Sequence, residues 1–372
     1  MVQLLWFIGA GASAPFGIPT MQQMVRDFKV QLEEAGTAEE RALFGESADF
    51  AKRYLGRPVD LEGVFTIVDS IANWSPEKMG IAALFHALRA INPRPTEDSS
   101  RIVYLTRPVE NEVEVAQSLS RRFEEFIKTK CDIGSDKAAA IERVYGTLFD
   151  TIANFIGPAV GPPGYGTRTK HVTSDWPIFT TNYDAILECY WMDIVKTSLN
   201  TGFEYNDVAR SRISKPDMLR SIGGLKLLKL HGSVTWLTDP EWGLTEQSVV
   251  PRDMRKYTGS TFSGQVMVYP ILEKELYSEP YMTMFNELYR ELMRRDLWAI
   301  VGYSFGDRVI RDLFLRTSRS QVRLVLLHPH ANQIVKDLER DGFRGRLVPL
   351  EEHFGLSDYV ATTQQFKDAL FK

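Results

Sequence analysis

The 372-residue chain has only two cysteines, Cys131 and Cys189, and no CxxC pair. Two thiols cannot form a four-cysteine zinc site or a disulfide framework. They read as reduced thiols of a cytoplasmic protein. Histidine is scarce as well, at six residues, and HExxH and Walker A motifs are missing. Basic charge is not in surplus: the formal net charge is −4, which does not predict direct nucleic-acid binding. The clusters Arg294–Arg295 and Arg252–Arg255 are short and read as solvated helix faces or loops. A long apolar run is also lacking. The opening MVQLLWFIGAG has no basic leader and is too short to span a membrane, so it reads as a buried strand.

Alternating strands and helices are what the sequence does contain. Leu4–Ile8 reads as a strand, followed by GAGASAPFGIP and a helix from about Thr20, where Thr20 and Gln23 form a capping box. Residues 31–175 read as a helical insertion. One helix there shares Ile81, Leu84, Phe85 and Leu88 on a face, another Val115, Leu119, Phe123 and Phe126, and a third Val144, Leu148, Ile152 and Phe155. The Gly/Pro-rich stretch 157–166 closes it. Strands are then expected at 177–181, 225–230, 266–271, 297–302, 321–327 and 346–350, with helices at 281–295, after Asp307 and at 358–371. This pattern predicts an α/β fold: a Rossmann-like, doubly wound, mostly parallel sheet formed by 1–30 and 176–372, with 31–175 inserted. Ligands of such sheets bind beyond the carboxyl ends of the strands.

Four unusual segments fall at those ends. Gly9-Ala10-Gly11-Ala12-Ser13 is glycine-rich after a strand. It suits close approach of a phosphate, with the N–H groups of the following helix pointing at it. A tight turn without a ligand needs the same glycines. Thr180-Thr181-Asn182-Tyr183-Asp184 offers Asn182 to a ribose hydroxyl or a water, or, equally, a cap to the next helix. Lys229-Leu230-His231-Gly232-Ser233 places a histidine, a candidate general base, at a strand end. Gly302 and Ser304 in VGYSF repeat the pairing of glycine and hydroxyl. Four other histidines are read as structural: His86 on a helix, His171 in a polar loop, and His328 and His330 in a turn around Pro329. Trp236 reads first as a core aromatic.

In order and character, these four segments resemble the motifs of the sirtuin (Sir2) superfamily. Gly9, Ala10, Gly11 and Ser13, with Gly17-Ile18-Pro19 after them, match its GAG-x-S loop. Asn182 and Asp184 match its T-x-N-x-D segment, His231 and Gly232 its H-G, and Gly302 and Ser304 its later G-x-S. The resemblance implies NAD⁺ as substrate. It places Gly9, Ala10, Gly11, Ser13, Thr181, Gly302 and Ser304 against the dinucleotide, and makes Asn182, His231 and Asp184 the catalytic residues, with Asp184 orienting the site. Protein deacylases of the superfamily carry a four-cysteine zinc ribbon after the histidine, but no cysteine lies between His231 and Val266 here. Deacylases also continue G-I-P with D-F-R, where this chain has Thr20-Met21-Gln22. The remaining likeness is to zinc-free Sir2-like NAD⁺ hydrolases of bacterial anti-phage defence. Asp60-Leu61-Glu62 is similar to a short acidic motif of that group and also reads as a helix-start charge. That likeness implies hydrolysis to nicotinamide and ADP-ribose in the cytoplasm, by a homo-oligomer with an ATPase or Argonaute-like partner and no membrane. Another NAD⁺-consuming activity (deacylation, ADP-ribosylation, cyclisation) and a non-catalytic NAD⁺ or ADP-ribose sensor are the alternatives.

With no cysteine quartet, neither stability nor activity is expected to depend on zinc. Metal analysis and chelator treatment of the purified protein test this. A stoichiometric zinc whose removal unfolds the chain would overturn it.

Overall fold

A computed structural model describes residues 4–54, 61–73, 110–156, 176–207, 211–220, 225–239, 241–246, 265–267, 279–355 and 359–372. These residues divide into two compact units, one formed by residues up to Ile18 and from Cys131 onward, the other by Pro19–Lys130.

The first unit is built on a six-stranded sheet of β1 (Leu4–Ile8), β2 (Pro177–Thr180), β5 (Lys226–Lys229), β9 (Leu297–Val301), β10 (Arg323–Leu327) and β11 (Arg346–Leu350). All neighbouring pairs are parallel, in the order β11-β10-β9-β1-β2-β5. Counted along the chain within this sheet, the order is 3-2-1-4-5-6, the Rossmann arrangement, with its switch point between β1 and β9. The expected doubly wound α/β fold is therefore what the chain adopts. Every residue of β1 is fully buried, as covering both faces of a parallel sheet requires. Leu5, Phe7, Phe179, Leu228, Trp298 and Ile300 belong to one core cluster. Trp6 joins Phe149 (5.1 Å) and Trp176 (5.7 Å) in another aromatic group.

Register matters more to function than topology does. Ile8 pairs with both Thr180 and Val301, Thr180 with Lys229, Val301 with Leu327, and Leu327 with Leu350. All the strands of this sheet therefore end on one rung, and the segments that follow them leave it at one level.

A second sheet of the same unit is absent from the sequence pattern. It is antiparallel, in the order β3-β4-β7-β6-β8, from Phe203–Asn206, Ser211–Ser214, Gly243–Glu246, Gly232–Asp239 and Gln265–Met267. The strand expected at 266–271 is thus β8. It pairs with β6 rather than with the parallel sheet, and 268–271 lie outside the described residues. Glu246 anchors this sheet from a buried position, accepting from Thr201 Oγ1 (2.9 Å), Trp236 Nε1 (3.2 Å) and Arg212. Trp236 is fully buried against Phe203 and Tyr281, a core aromatic as expected.

The second unit packs α1 (Met21–Ala35), α2 (Ala38–Tyr54), α3 (Leu61–Ala72) and α4 (Glu110–Lys130). The Thr20–Gln23 capping box is present. Phe28 is the hub, with the rings of Phe44, Phe65, Phe123 and Phe126 at 5.6, 5.4, 5.6 and 5.2 Å. The unit boundary differs from the expected insertion. Residues from Pro19 belong to the helical unit, whereas α5 (Ala138–Ile156) packs Phe149 on Trp6 in the sheet unit. Phe155, placed on that helix's apolar stripe, is 53% exposed and stacks on Phe371. Arg295 also departs from expectation: it is 1% exposed and donates to Leu4 O at 2.9 Å. The helix expected around 81–88, His86, His171, the 157–166 loop, Arg252–Arg255 and Asp60 lie outside the described residues. Among the described residues, no helix is long and apolar enough to cross a membrane.

Four further helices, α6 (Tyr281–Arg294), α7 (Arg308–Thr317), α8 (Ala331–Arg340) and α9 (Tyr359–Phe371), complete the sheet unit. Gly302, just after β9, has φ +66°, and a Cβ there would lie 2.3 Å from Ala12 N. Gly243 has a similar φ of +70° in open space. Alanine at Gly243 should therefore cost only the left-handed strain, about 1–2 kcal/mol. Alanine at Gly302 adds a backbone overlap and should cost clearly more, above about 2 kcal/mol. Equal losses for the two variants in denaturant unfolding would refute the interlock.

Candidate functional site

The four motif segments meet at the common rung. Gly11 N donates to Gly302 O at 2.9 Å, and Gly9 N to Val301 O at 2.8 Å. A Cβ at Gly9 would stand 2.6 Å from Gly302 O, and one at Gly11 2.9 Å from Gly302 Cα. Backbone packing alone therefore excludes side chains at both glycines. The expected helix N-terminus facing a phosphate is not formed. The loop enters two 3₁₀ turns, Ala10–Ala12 and Ala14–Phe16, and α1 begins only at Met21. Ala12 N and Ser13 N donate to Gly9 O and Ala10 O within the turn. Ala10 and Gly11 are half-buried and Ser304 is exposed.

Beside this loop, Thr180 Oγ1 donates to Ile8 O at 2.7 Å and accepts from Asn182 N at 3.0 Å. That bends the chain after β2, with Thr181 half-buried at the bend. Asn182 Nδ2 donates to Gly9 O (3.1 Å) and to Ser13 Oγ (2.9 Å). Because a carbonyl only accepts, these contacts fix the amide's orientation. Its Oδ1 is buried with no hydrogen-bond partner among the described residues. Ser13 Oγ in turn donates to Asp184 Oδ2 at 2.7 Å, and Asp184 Oδ1 accepts from Ile186 N at 3.1 Å. Asp184 thus orients Ser13 and the next helical turn, Ile186–Glu188, which continues as a π-turn at Cys189–Ile194.

Two buried partners are not evident from the sequence. Lys229, at the end of β5, is 1% exposed. Its Nζ donates to Tyr183 O (3.3 Å), Asp184 O, Glu188 Oε1 (2.9 Å) and Ser233 Oγ (2.9 Å). One ammonium therefore ties the Asn182–Asp184 loop to the His231 loop. Burial pushes the Glu188 carboxyl up, against the pull of Lys229. His231 is 3% exposed, and its Nε2 meets Asp307 Oδ2 at 3.0 Å. Asp307 precedes α7, and its Oδ1 accepts from Val309 N (2.8 Å) and Ile310 N (3.3 Å). A capping aspartate after a strand-end glycine is the available signal; its reach to His231 shows only once the strands align.

Burial pushes the Cys131 thiol up, with the Asp184 charge adding, and raises Cys189 to about 11. Both are neutral thiols near pH 7. His328 follows β10, and its Nδ1 accepts from His330 N at 3.0 Å, in the expected turn. Burial, then His330 and His353, lower its pKa to about 4. Among the described residues no group of three His, Cys, Asp or Glu is placed to hold a metal. A cavity of about 290 Å³ lies elsewhere, lined by Glu142, Arg143, Asp150 and Tyr190.

Replacing Lys229 by Met should cost about 3–5 kcal/mol, because Glu188 is left as an uncompensated buried charge. The double variant Lys229→Met/Glu188→Leu should lose less than the single one. Thermal or urea unfolding reads both, and a Lys229→Met protein as stable as the parent would show that this pair braces nothing.

No curated protein matches the chain in sequence. Among solved structures, a Sir2 homologue–NAD complex is 12% identical, covering 99% of this chain and 90% of that one, with a TM-score of 0.43. A Sir2 homologue mutant with 2′-O-acetyl ADP-ribose is 13% identical, covering 99% and 93%, with a TM-score of 0.42. Residues 177–336, which run from the start of β2 into α8 and contain Asn182, Asp184, His231, Gly302, Ser304 and Asp307, match the model of the SIR2-like domain family.

Proposed function

We propose that this protein hydrolyses NAD⁺ at the nicotinamide–ribose bond. The observation that carries the reading is Asn182. Its amide is clamped through Nδ2, and its buried Oδ1 is an acceptor without a partner among the described residues. Leaving such an acceptor unmade costs about 1–3 kcal/mol, and a ribose hydroxyl or a water would repair it. His231 leaves the sheet on the same rung and supplies a base.

The chemistry balances with water alone. The bond between ribose C1′ and the nicotinamide nitrogen breaks, and its electron pair neutralises the pyridinium. Water oxygen bonds to C1′, and the released proton passes to His231 and then to solvent. Nicotinamide departs as a neutral molecule, so no general acid is needed. What the site must do is orient the nucleophile and accept its proton. Asn182 does the first and His231 the second, while Asp184 holds Ser13 and, through it, the amide. The resemblance to zinc-free anti-phage proteins extends the proposal to NAD⁺ depletion by a homo-oligomer in the cytoplasm, with an ATPase or Argonaute-like partner.

His231→Ala should lower NAD⁺ turnover by about 10²–10⁴-fold. Asn182→Ala should do likewise with some loss of stability, since Gly9 O and Ser13 Oγ lose a donor. Mass spectrometry of the products, alongside melting curves, checks this. Nicotinamide with ADP-ribose supports hydrolysis. A cyclic product or a modified acceptor would replace hydrolysis with another NAD⁺-consuming reaction, and binding without turnover would make the chain a sensor.

A further inference from the structure

Asp307 lies outside every motif singled out in the sequence, yet it holds the imidazole on which the proposed reaction depends. We propose that Asp307 is a positioning residue that sets the tautomer of His231, placing the ring proton on Nε2 and the basic lone pair on Nδ1. The inference rests on the reading of His231 as the base.

Three features of the geometry carry it. First, the contact is a buried one between Nε2 and Oδ2 at 3.0 Å, with side-chain exposures of 3% and 5%, so water does not compete for the bond. A carboxylate oxygen accepts, so the nitrogen facing it is the protonated one, and in a neutral imidazole the lone pair then lies on the other nitrogen. Second, the carboxylate cannot turn away. Oδ1 caps α7 through Val309 N and Ile310 N, and the backbone carbonyl of Asp307 accepts from Arg311 N at 2.9 Å. Third, the two oxygens have separate tasks, one for the helix and one for the histidine. This division decides what a substitution does.

The change Asp307→Asn reverses the polarity of the contact with His231. Asparagine caps helices as well as aspartate does. Its Oδ1 would keep the bonds from Val309 N and Ile310 N, and its Nδ2, a donor, would face His231 Nε2. The ring proton would be driven to Nδ1, and the base would be lost with the fold intact.

The experiment uses the full chain labelled with ¹⁵N-histidine, the His231 signals being assigned by their loss in His231→Ala. In the parent, Nε2 should carry the proton; in Asp307→Asn, Nδ1 should carry it, with an unchanged melting temperature. NAD⁺ turnover of Asp307→Asn should fall by about 10²–10⁴-fold in kcat with little change in KM. Asp307→Ser, which caps α7 but cannot reach the ring, should lose kcat as well and release the tautomer preference. Parental tautomer in Asp307→Asn, or a switched tautomer with parental kcat, would overturn the assignment. The tautomer measurement needs no substrate. If the parent itself fails to consume NAD⁺, the hydrolase reading falls while the spectrum still decides the pairing.

Discussion

Two stretches of bare backbone, Gly9–Ala12 and Gly302, touch at the switch point between β1 and β9, and the candidate site is hung from that contact. The Gly11 N–H to Gly302 O bond closes it, and none of Gly9, Gly11 and Gly302 has room for a Cβ. With the loop held at that height, Gly9 O faces the Asn182 amide and Ser13 Oγ stands between Asn182 and Asp184. In the sequence, these glycines suggest room for a pyrophosphate. The structure gives them a prior duty, which is to let two loops approach. Glycine at these positions is therefore not in itself a sign of nucleotide, and the functional weight falls on the polar groups that the interlock positions.

Those polar groups are costly. Asn182, Asp184, Glu188, Lys229, His231 and Asp307 are all buried at the ends of the strands. Taking a charge out of water costs several kcal/mol before any partner offsets it. A core built for stability would place apolar residues there, as β1 does throughout its length. Lys229 answers part of the cost by satisfying two carbonyls, a carboxylate and a hydroxyl at once. Such a concentration of desolvated, mutually bonded groups at the carboxyl edge of a doubly wound sheet is the pattern of a working site.

The parallel sheet is legible in the sequence because strands buried on both faces read as unbroken apolar runs, and LLWFI, PIFT and LWAIV stand out from their surroundings. The Thr20 cap is legible because capping is local. The antiparallel sheet is not. β3, β4 and β7 are four residues each, and polar residues alternate through them, as in the Gly232–Asp239 strand that follows His231. Arg295 reads as a surface residue because the burial of an arginine is decided by a carbonyl that sits on β1, far away in the chain. The division near residues 19 and 131 is hidden for a related reason: α5 is as amphipathic as its helical neighbours, and only the position of Trp6 shows which core its apolar face enters.

One residue, the cap of α7, answers to both the fold and the site. Serine, threonine, asparagine and aspartate all cap a helix, so the helix alone does not explain aspartate at 307. A hydroxyl engaged by Val309 N and Ile310 N would leave no second acceptor, and an asparagine would present a donor. Only aspartate caps the helix with one oxygen and accepts from an imidazole with the other, within the reach that 3.0 Å demonstrates. Strand register brings the two residues together. β5 delivers His231 and β9 leads to Asp307, and Lys229 and Val301 share a rung through Thr180 and Ile8. A shift of any one of these strands would break the pair, so the pairing that builds the sheet also sets the contact between His231 and Asp307.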